Sequence, residues 1–165
     1  MLQGWKVNGP GGISIREGGS QGSANSFVMT HRTEIRSGPR QDLPTFCLSR
    51  LDDTYTFNAD MKLLDEDGNE FACDKSAMWN TALTCPLLTF ELNHPDGTKR
   101  IHKGNEYGGT WMANEWNQFR STLTVTQDIV EANGLFFYFQ GPAPGVSVVF
   151  DNVSLMANQP PPEIS

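Results

Sequence analysis

The stretch Tyr55-Thr56-Phe57-Asn58-Ala59-Asp60-Met61-Lys62-Leu63 alternates apolar with polar residues through its whole length. Successive side chains of a β-strand point to opposite faces, so a period of two makes one face core and leaves the other to water. Working outward, the pattern returns in Phe27/Met29, Leu88/Phe90/Leu92, Phe119/Leu123/Val125, Leu135/Phe137/Phe139 and Val148/Phe150/Val153/Leu155, which predicts at least six strands. Between them, Gly38-Pro39, Asp67-Gly68, Asp96-Gly97, Asn133-Gly134 and Gly141-Pro142 supply the positive or fixed φ that tight reversals require. No stretch reads as a helix of three turns, and Thr126 to Ala132 has room only for a short helix or a loop. Many strands, abundant turn residues and almost no helix predict an all-β fold, a β-sandwich of the jelly-roll kind. Two stretches break the pattern. Residues 65–84 form a long polar excursion between two strands, and Lys103 to Glu115 places Tyr107 and Trp111 among glycines without core periodicity, a setting typical of exposed aromatics.

Composition limits the classes of function. The chain has 165 residues, 38% hydrophobic and 19% charged, which predicts one domain over residues 1–157. The proline run at Gln159-Pro160-Pro161-Pro162-Glu163 cannot join a sheet, so residues 158–165 read as the start of a linker or tail. A net charge of −7 argues against nucleic acid, whose phosphates are held by Lys and Arg. No apolar run approaches the roughly 18–20 residues of a membrane-spanning helix. The first residues, MLQGWKVNGPGG, have neither a basic start nor an apolar core of the signal-peptide type. Either the protein is not secreted or this is a domain cut from a longer chain, and the proline-rich tail favours the second. Cys47, Cys73 and Cys85 allow three pairings. Cys73 with Cys85 is favoured because the two bracket one polar loop, and three reduced thiols are the alternative.

Catalytic signatures are absent: there is no Gly-x-Ser-x-Gly, no His-Glu-x-x-His and no phosphate-binding glycine loop. Of the three histidines, His31 falls in register with Phe27 and Met29 and reads as a core residue, while His94 before Pro95-Asp96-Gly97 reads as a turn residue. Asp52-Asp53 and Asp65-Glu66-Asp67 read as solvated turn charges, although two carboxylates suffice for glycoside hydrolysis. Asp65, Asp67 and Asn69 imitate the start of an EF-hand loop, but Glu70 stands where that loop needs Gly. The richer constellation lies opposite the core. In Leu135-Phe136-Phe137-Tyr138-Phe139-Gln140, if Leu135/Phe137/Phe139 are core, then Phe136, Tyr138 and Gln140 share the outer face. By the same alternation Arg32 shares a face with Val28 and Thr30, and Glu91 with Thr89 and Asn93. Aromatic surface edged by Arg, Glu, Gln and Asn suits a sugar, whose C–H face packs on a ring while its hydroxyls take hydrogen bonds. The alternative is that loops cover this face and the rings are a second core.

In order along the chain, Gly4-Trp5, Ser26 to Thr33 with Gly38-Pro39, Thr54 to Phe57 with Met61-Lys62-Leu63, Phe90-Glu91-Leu92 with Asp96-Gly97, Trp116 to Val125, Leu135 to Pro142, and Phe150-Asp151-Asn152-Val153-Ser154-Leu155 resemble segments of family 22 carbohydrate-binding modules, relatives of families 4 and 9. The resemblance implies a jelly roll of two antiparallel sheets with one concave face, on which xylan or β-glucan chains are held. It implies that Arg32 bonds the sugar and that Gln140 stands where the family commonly has a Glu. Arg36 replaces an aromatic that stacks on the ligand, which leaves stacking to Tyr138, Trp111, Tyr107 or Trp79. It also implies a structural Ca²⁺ held by Asp151 with backbone oxygens near Ser20 and Gly22, the family's amino-terminal acidic partner lying before residue 1 or missing. The expected protein is a non-catalytic, extracellular or cell-wall-associated module tethered in a longer chain, with Arg32, Glu91, Tyr107, Trp111, Phe136, Tyr138 and Gln140 on a polysaccharide. A structural or adhesive domain, or a small polysaccharide-degrading enzyme on the same fold, are the alternatives.

Overall fold

Alternation is followed most strictly over Asn117–Thr124, where side chains are buried and exposed in turn along the whole strand. A computed structural model describes residues 4–106 and 109–158, and all structural statements concern these. The strands in chain order are β1 (Trp5–Asn8), β2 (Gly12–Glu17), β3 (Asn25–Thr30), β4 (Gly38–Leu43), β5 (Thr54–Leu64), β6 (Glu70–Phe71), β7 (Leu87–Asn93), β8 (Lys99–Glu106), β9 (Asn117–Thr124), β10 (Gly134–Gln140) and β11 (Ser147–Ala157). A 3₁₀ turn, Thr45–Leu48, and one short helix, α1 (Gln127–Glu131), complete them. The helix occupies the one segment with room for it.

Among the described residues the strands pair antiparallel throughout, and they make two sheets. The first runs β1-β4-β10-β7-β8 and the second β2-β3-β11-β5-β6, with β9 also paired to β5. This is the β-sandwich that the alternation predicts. Leu135, Phe137 and Phe139 of β10 face Phe57 of β5, Phe119 of β9 and Phe150 of β11 across the interior, with Phe57–Phe137 and Phe57–Phe139 centroids 5.1 and 5.5 Å apart, edge to face. Trp5 of β1 packs on Phe137 in its own sheet and on Phe150 in the other, tying the two layers at one end. Each such ring, removed to Ala, costs about 3–5 kcal/mol in a typical core.

Three local features depart from the sequence reading. His31 is exposed with φ +56°: strand β3 ends at Thr30, the left-handed residue breaks the alternation, and the ring leaves the core side. In β11 the apolar parity switches from Val148/Phe150 to Val153/Leu155 because a bulge sets Asn152 and Val153 opposite a single residue, between the pairs Asp151↔Asp60 and Ser154↔Asn58. Lys99–Glu106, rich in charge, forms the edge strand β8. Lysines and arginines on an edge discourage pairing with another chain, which is why this strand carries no apolar alternation. Cys73 and Cys85 are joined, with Cα atoms 5.1 Å apart, so the polar excursion is a closed loop, and Cys47 is a free, exposed thiol.

Candidate functional site

The outer face of the first sheet follows from strand register. Residues opposite one another in a ladder project to the same side, so Tyr138 lies in a row with Arg40, Lys6, Thr89 and Lys103, and Phe136 in a row with Asp42, Glu91 and Ile101. The next row holds Gly134, Asn93 and Lys99. These rows floor an open groove of about 470 Å³ across β4, β10, β7 and β8, closed at one end by Asn8 and Gly9 of the β1 end and by Arg36 of the loop before β4. At about 4.8 Å per strand, four strands make a floor roughly 14 Å across. A shallower depression of about 280 Å³ shares Arg40, Asn93 and Phe136 and continues towards Thr45 and Asn133.

The floor is aromatic but its rings are covered. Phe136 and Tyr138 are each only 4% exposed. The Arg40 guanidinium lies 3.5 Å from the Phe136 centroid, flat-ring cation contact of the kind that a planar, weakly hydrated guanidinium favours. Arg40 is held there by Asp42, to whose Oδ1 its Nε and Nη2 donate at 3.1 and 2.9 Å, while Lys6 donates to Oδ2. The Lys6 hydrogen bond, aided by Arg40 and opposed by burial, holds the Asp42 carboxyl below its ordinary range. Burial pushes the Tyr138 phenol up, with Glu91 adding to the shift and Arg36 opposing it. The Glu91 carboxylate lies 3.8 Å from Lys99. Arg36, largely exposed, donates from Nε to Glu34.

Of the sequence-predicted residues, Glu91, Phe136 and Tyr138 meet in this groove. Gln140 shares the face one step beyond Tyr138, outside the groove wall, and accepts a long hydrogen bond of 3.5 Å from the Thr89 hydroxyl. Arg32 is elsewhere. It is 2% exposed, and all its donors go to backbone carbonyls: Nε to Ser37, Nη1 to Ala143 and Val146, Nη2 to Ile35 and Pro142. Burial lowers its guanidinium to about 10, which leaves it charged at neutral pH. With no donor left over, it is a pin between two loops and not a sugar ligand; the alternation argument failed because β3 stops before it. Trp111, expected at the surface, is 5% exposed and belongs to the core cluster, beside the Cys73–Cys85 bridge in a small depression. Trp79 packs over Gly141 at the end of β10. Tyr107 lies outside the described residues. Sequence reasoning passed over Arg40, Asn8, Lys99 and Ile101, because Gly-Pro at the start of β4 and the charges of β8 hide both strands.

A second polar cluster lies at the bulge of β11. Asp60 of β5 and Asp151 of β11 are paired residues. Asp60 Oδ2 accepts from the Ser20 hydroxyl at 2.6 Å, the Gln21 amide at 3.1 Å and the Asn152 amide at 3.1 Å, and the Ser20 backbone N–H donates to Asp151 Oδ2 at 3.0 Å. A Cβ on Gly19 would fall 2.7 Å from Asp151 Oδ2 and 2.5 Å from the Asn25 carbonyl, so only glycine lets this loop close on the carboxylate. Gly22 sits exposed at the loop tip with φ +83°. Asp60 is the second carboxylate that the sequence left unassigned; it sits on the outward parity of β5 and reads there as an ordinary surface charge.

No family model and no curated sequence matches the chain. Among solved structures, the CBM22-1 xylan-binding domain from Paenibacillus barcinonensis Xyn10C is similar with a TM-score of 0.66 at 14% identity, covering 96% of this chain and 88% of that one. The C-terminal family 22 carbohydrate binding module of Clostridium thermocellum Xyn10B is similar at 0.66 and 12% identity, covering 95% and 87%. A Stig cyclase, Fisc from Fischerella sp. TAU, is similar at 0.56 and 16%, covering 94% and 85%. The last shows that the architecture also carries an enzyme, so function is to be argued from the site. Two antiparallel sheets in this order, with matches of this extent, give the chain the jelly-roll fold of the family 22 carbohydrate-binding modules.

Proposed function

We propose that the protein is a non-catalytic carbohydrate-binding module that holds a polysaccharide of the xylan or β-glucan class in the groove on the outer face of β4, β10, β7 and β8. The observation that carries this reading is the groove itself: open, about 470 Å³, with Glu91, Asn93, Asn8 and the Arg36 and Arg40 guanidinium groups arranged along it. Carboxylate, amide and guanidinium groups spaced along an open groove suit the hydroxyls of a sugar chain laid into it from the side. The similar module of Paenibacillus barcinonensis Xyn10C, a xylan-binding domain, supports the same assignment. Binding of this kind concentrates whatever is attached to the module on its polymer. The tandem and xylanase-linked modules among the similar structures support a tethered place in a longer chain, and the Cys73–Cys85 bridge supports an oxidising, extracellular compartment.

Ca²⁺ takes oxygen ligands, and at this cluster two carboxylates, Asp60 and Asp151, and the Ser20 hydroxyl come together, at present bonded to one another's donors and to the Ser20 N–H. Asp60 and Asp151 would hold the ion, and its effect would be to fix the 18–25 loop against β5 and β11. Calorimetric titration with CaCl₂, paired with thermal unfolding in EDTA, tests this; an unchanged Tm and no heat would remove calcium from the account. For the main reading, affinity electrophoresis against xylan, mixed-linkage glucan, laminarin, mannan and soluble cellulose is the test. Retention by at least one polymer, weakened in Asn93→Ala at the groove floor, is expected. Free migration of the folded protein in every gel would overturn the reading.

A further inference from the structure

We infer that the groove is built for an anionic polysaccharide, one that carries carboxylate or sulfate groups along its chain, in preference to a neutral one. This rests on the carbohydrate-binding reading above and narrows its ligand. The whole chain carries −7, yet of the four charged residues lining the groove three are cations, Arg36, Arg40 and Lys99, against the single carboxylate of Glu91. When the carboxylates that hold them are included, the cations Lys6, Arg36, Arg40 and Lys99 still outnumber Glu34, Asp42 and Glu91 by four to three. A local excess of positive charge in an acidic protein is where an acidic ligand is steered.

The surface that the groove offers points the same way. A neutral pyranose gains affinity by laying its C–H face on an open ring, and here the Phe136 face is occupied by the Arg40 guanidinium, while Tyr138 is 4% exposed. What a ligand meets over Phe136 is therefore a flat cation. Asp42 uses the Nε and Nη2 side of Arg40, and among the described residues its Nη1 makes no hydrogen bond. Arg36 is anchored through Nε alone. Two guanidinium groups held by one edge, with the other edge turned to an open channel, are preorganised for paired hydrogen bonds to a carboxylate or sulfate. Fixing them beforehand through Asp42 and Glu34 lowers the entropy lost on binding.

The experiment compares retention of the folded protein by polygalacturonate, glucuronoxylan and chondroitin sulfate with retention by a neutral arabinoxylan and mixed-linkage glucan, at low and high NaCl. At least about tenfold tighter binding to an acidic polymer, equal to about 1.4 kcal/mol, is expected, declining as salt rises. The uronate and sulfate arms identify which anion is read. Arg36→Glu, at an exposed position whose folding is checked by its Tm, should lower the ratio of acidic to neutral affinity by about tenfold. Equal binding of neutral and acidic polymers, or a ratio unmoved by Arg36→Glu, would overturn the anionic inference and leave the carbohydrate reading intact. Binding to no polymer at all would overturn both.

Discussion

Arg32 shows how far one residue's neighbours decide its role. A guanidinium with five N–H donors suits either a sugar or a set of carbonyls, and the sequence assigns neither. In the structure the five donors meet carbonyls from the 35–37 loop and from the 142–146 loop, so the side chain closes the end of the sandwich from within. Leaving those buried carbonyls unpaired costs about 1–3 kcal/mol each, so Arg32→Ala should lose at least about 3 kcal/mol of stability. Urea unfolding checks this, and a variant as stable as the parent would show that the pin is dispensable. Arg32→Lys should not rescue it, because a single ammonium with three donors cannot span five carbonyls. The reverse error concerns Phe136 and Tyr138. Alternation correctly placed both on the outer face, but whether a ring there is bare depends on Arg40, which is distant in sequence and reaches it only through strand pairing.

At the scale of elements, strands with one buried face were legible and strands without one were not. β5, β7, β9 and β10 have clean apolar sets because each turns one face to the core between the sheets. β4 reads Gly-Pro-Arg-Gln-Asp-Leu, which looks like a turn, yet it lies between β1 and β10 and supplies Arg40 to the groove, with Asp42 holding it. Gly38 shows why the sequence begins as it does: a Cβ there would stand 1.9 Å from the Phe139 carbonyl oxygen. Gly38→Ala should therefore push β4 off the end of β10, lowering Tm and weakening polysaccharide binding together; normal values of both would contradict this account. The 73–85 loop is a second element whose order comes from tertiary contact. Its bridge closes a short ring, worth roughly 3 kcal/mol in the chain-entropy picture, and sits in the core cluster beside Trp111. A double Cys73→Ala, Cys85→Ala variant should unfold at lower denaturant by about that amount, with single Cys47→Ser having no effect, as its thiol is exposed and free.

For the whole molecule, the two sheets share one interior. Trp5, from the edge of the first sheet, packs on Phe150 at the centre of the second, and Phe57 of the second packs on Phe137 and Phe139 of the first. Neither sheet has an apolar face of its own to keep once the other leaves, so unfolding should be a single cooperative step. Tryptophan fluorescence and far-UV circular dichroism are expected to give coincident transitions; separated midpoints would mean that the layers come apart independently. The same packing explains the division between what was legible and what was not. The sequence by itself determined the all-β class, the positions of the core faces and the family that the fold resembles, because strand periodicity and turn chemistry are local. Only the tertiary structure decided that Arg32 is a structural pin, that Trp111 is core, that Asp60 joins Asp151, and that the groove shows guanidinium groups in place of bare rings. Each of those depends on which distant backbone carbonyl, ring or carboxylate lies within a few ångströms, and that distance is set by strand order and register across the sandwich, which no local pattern encodes.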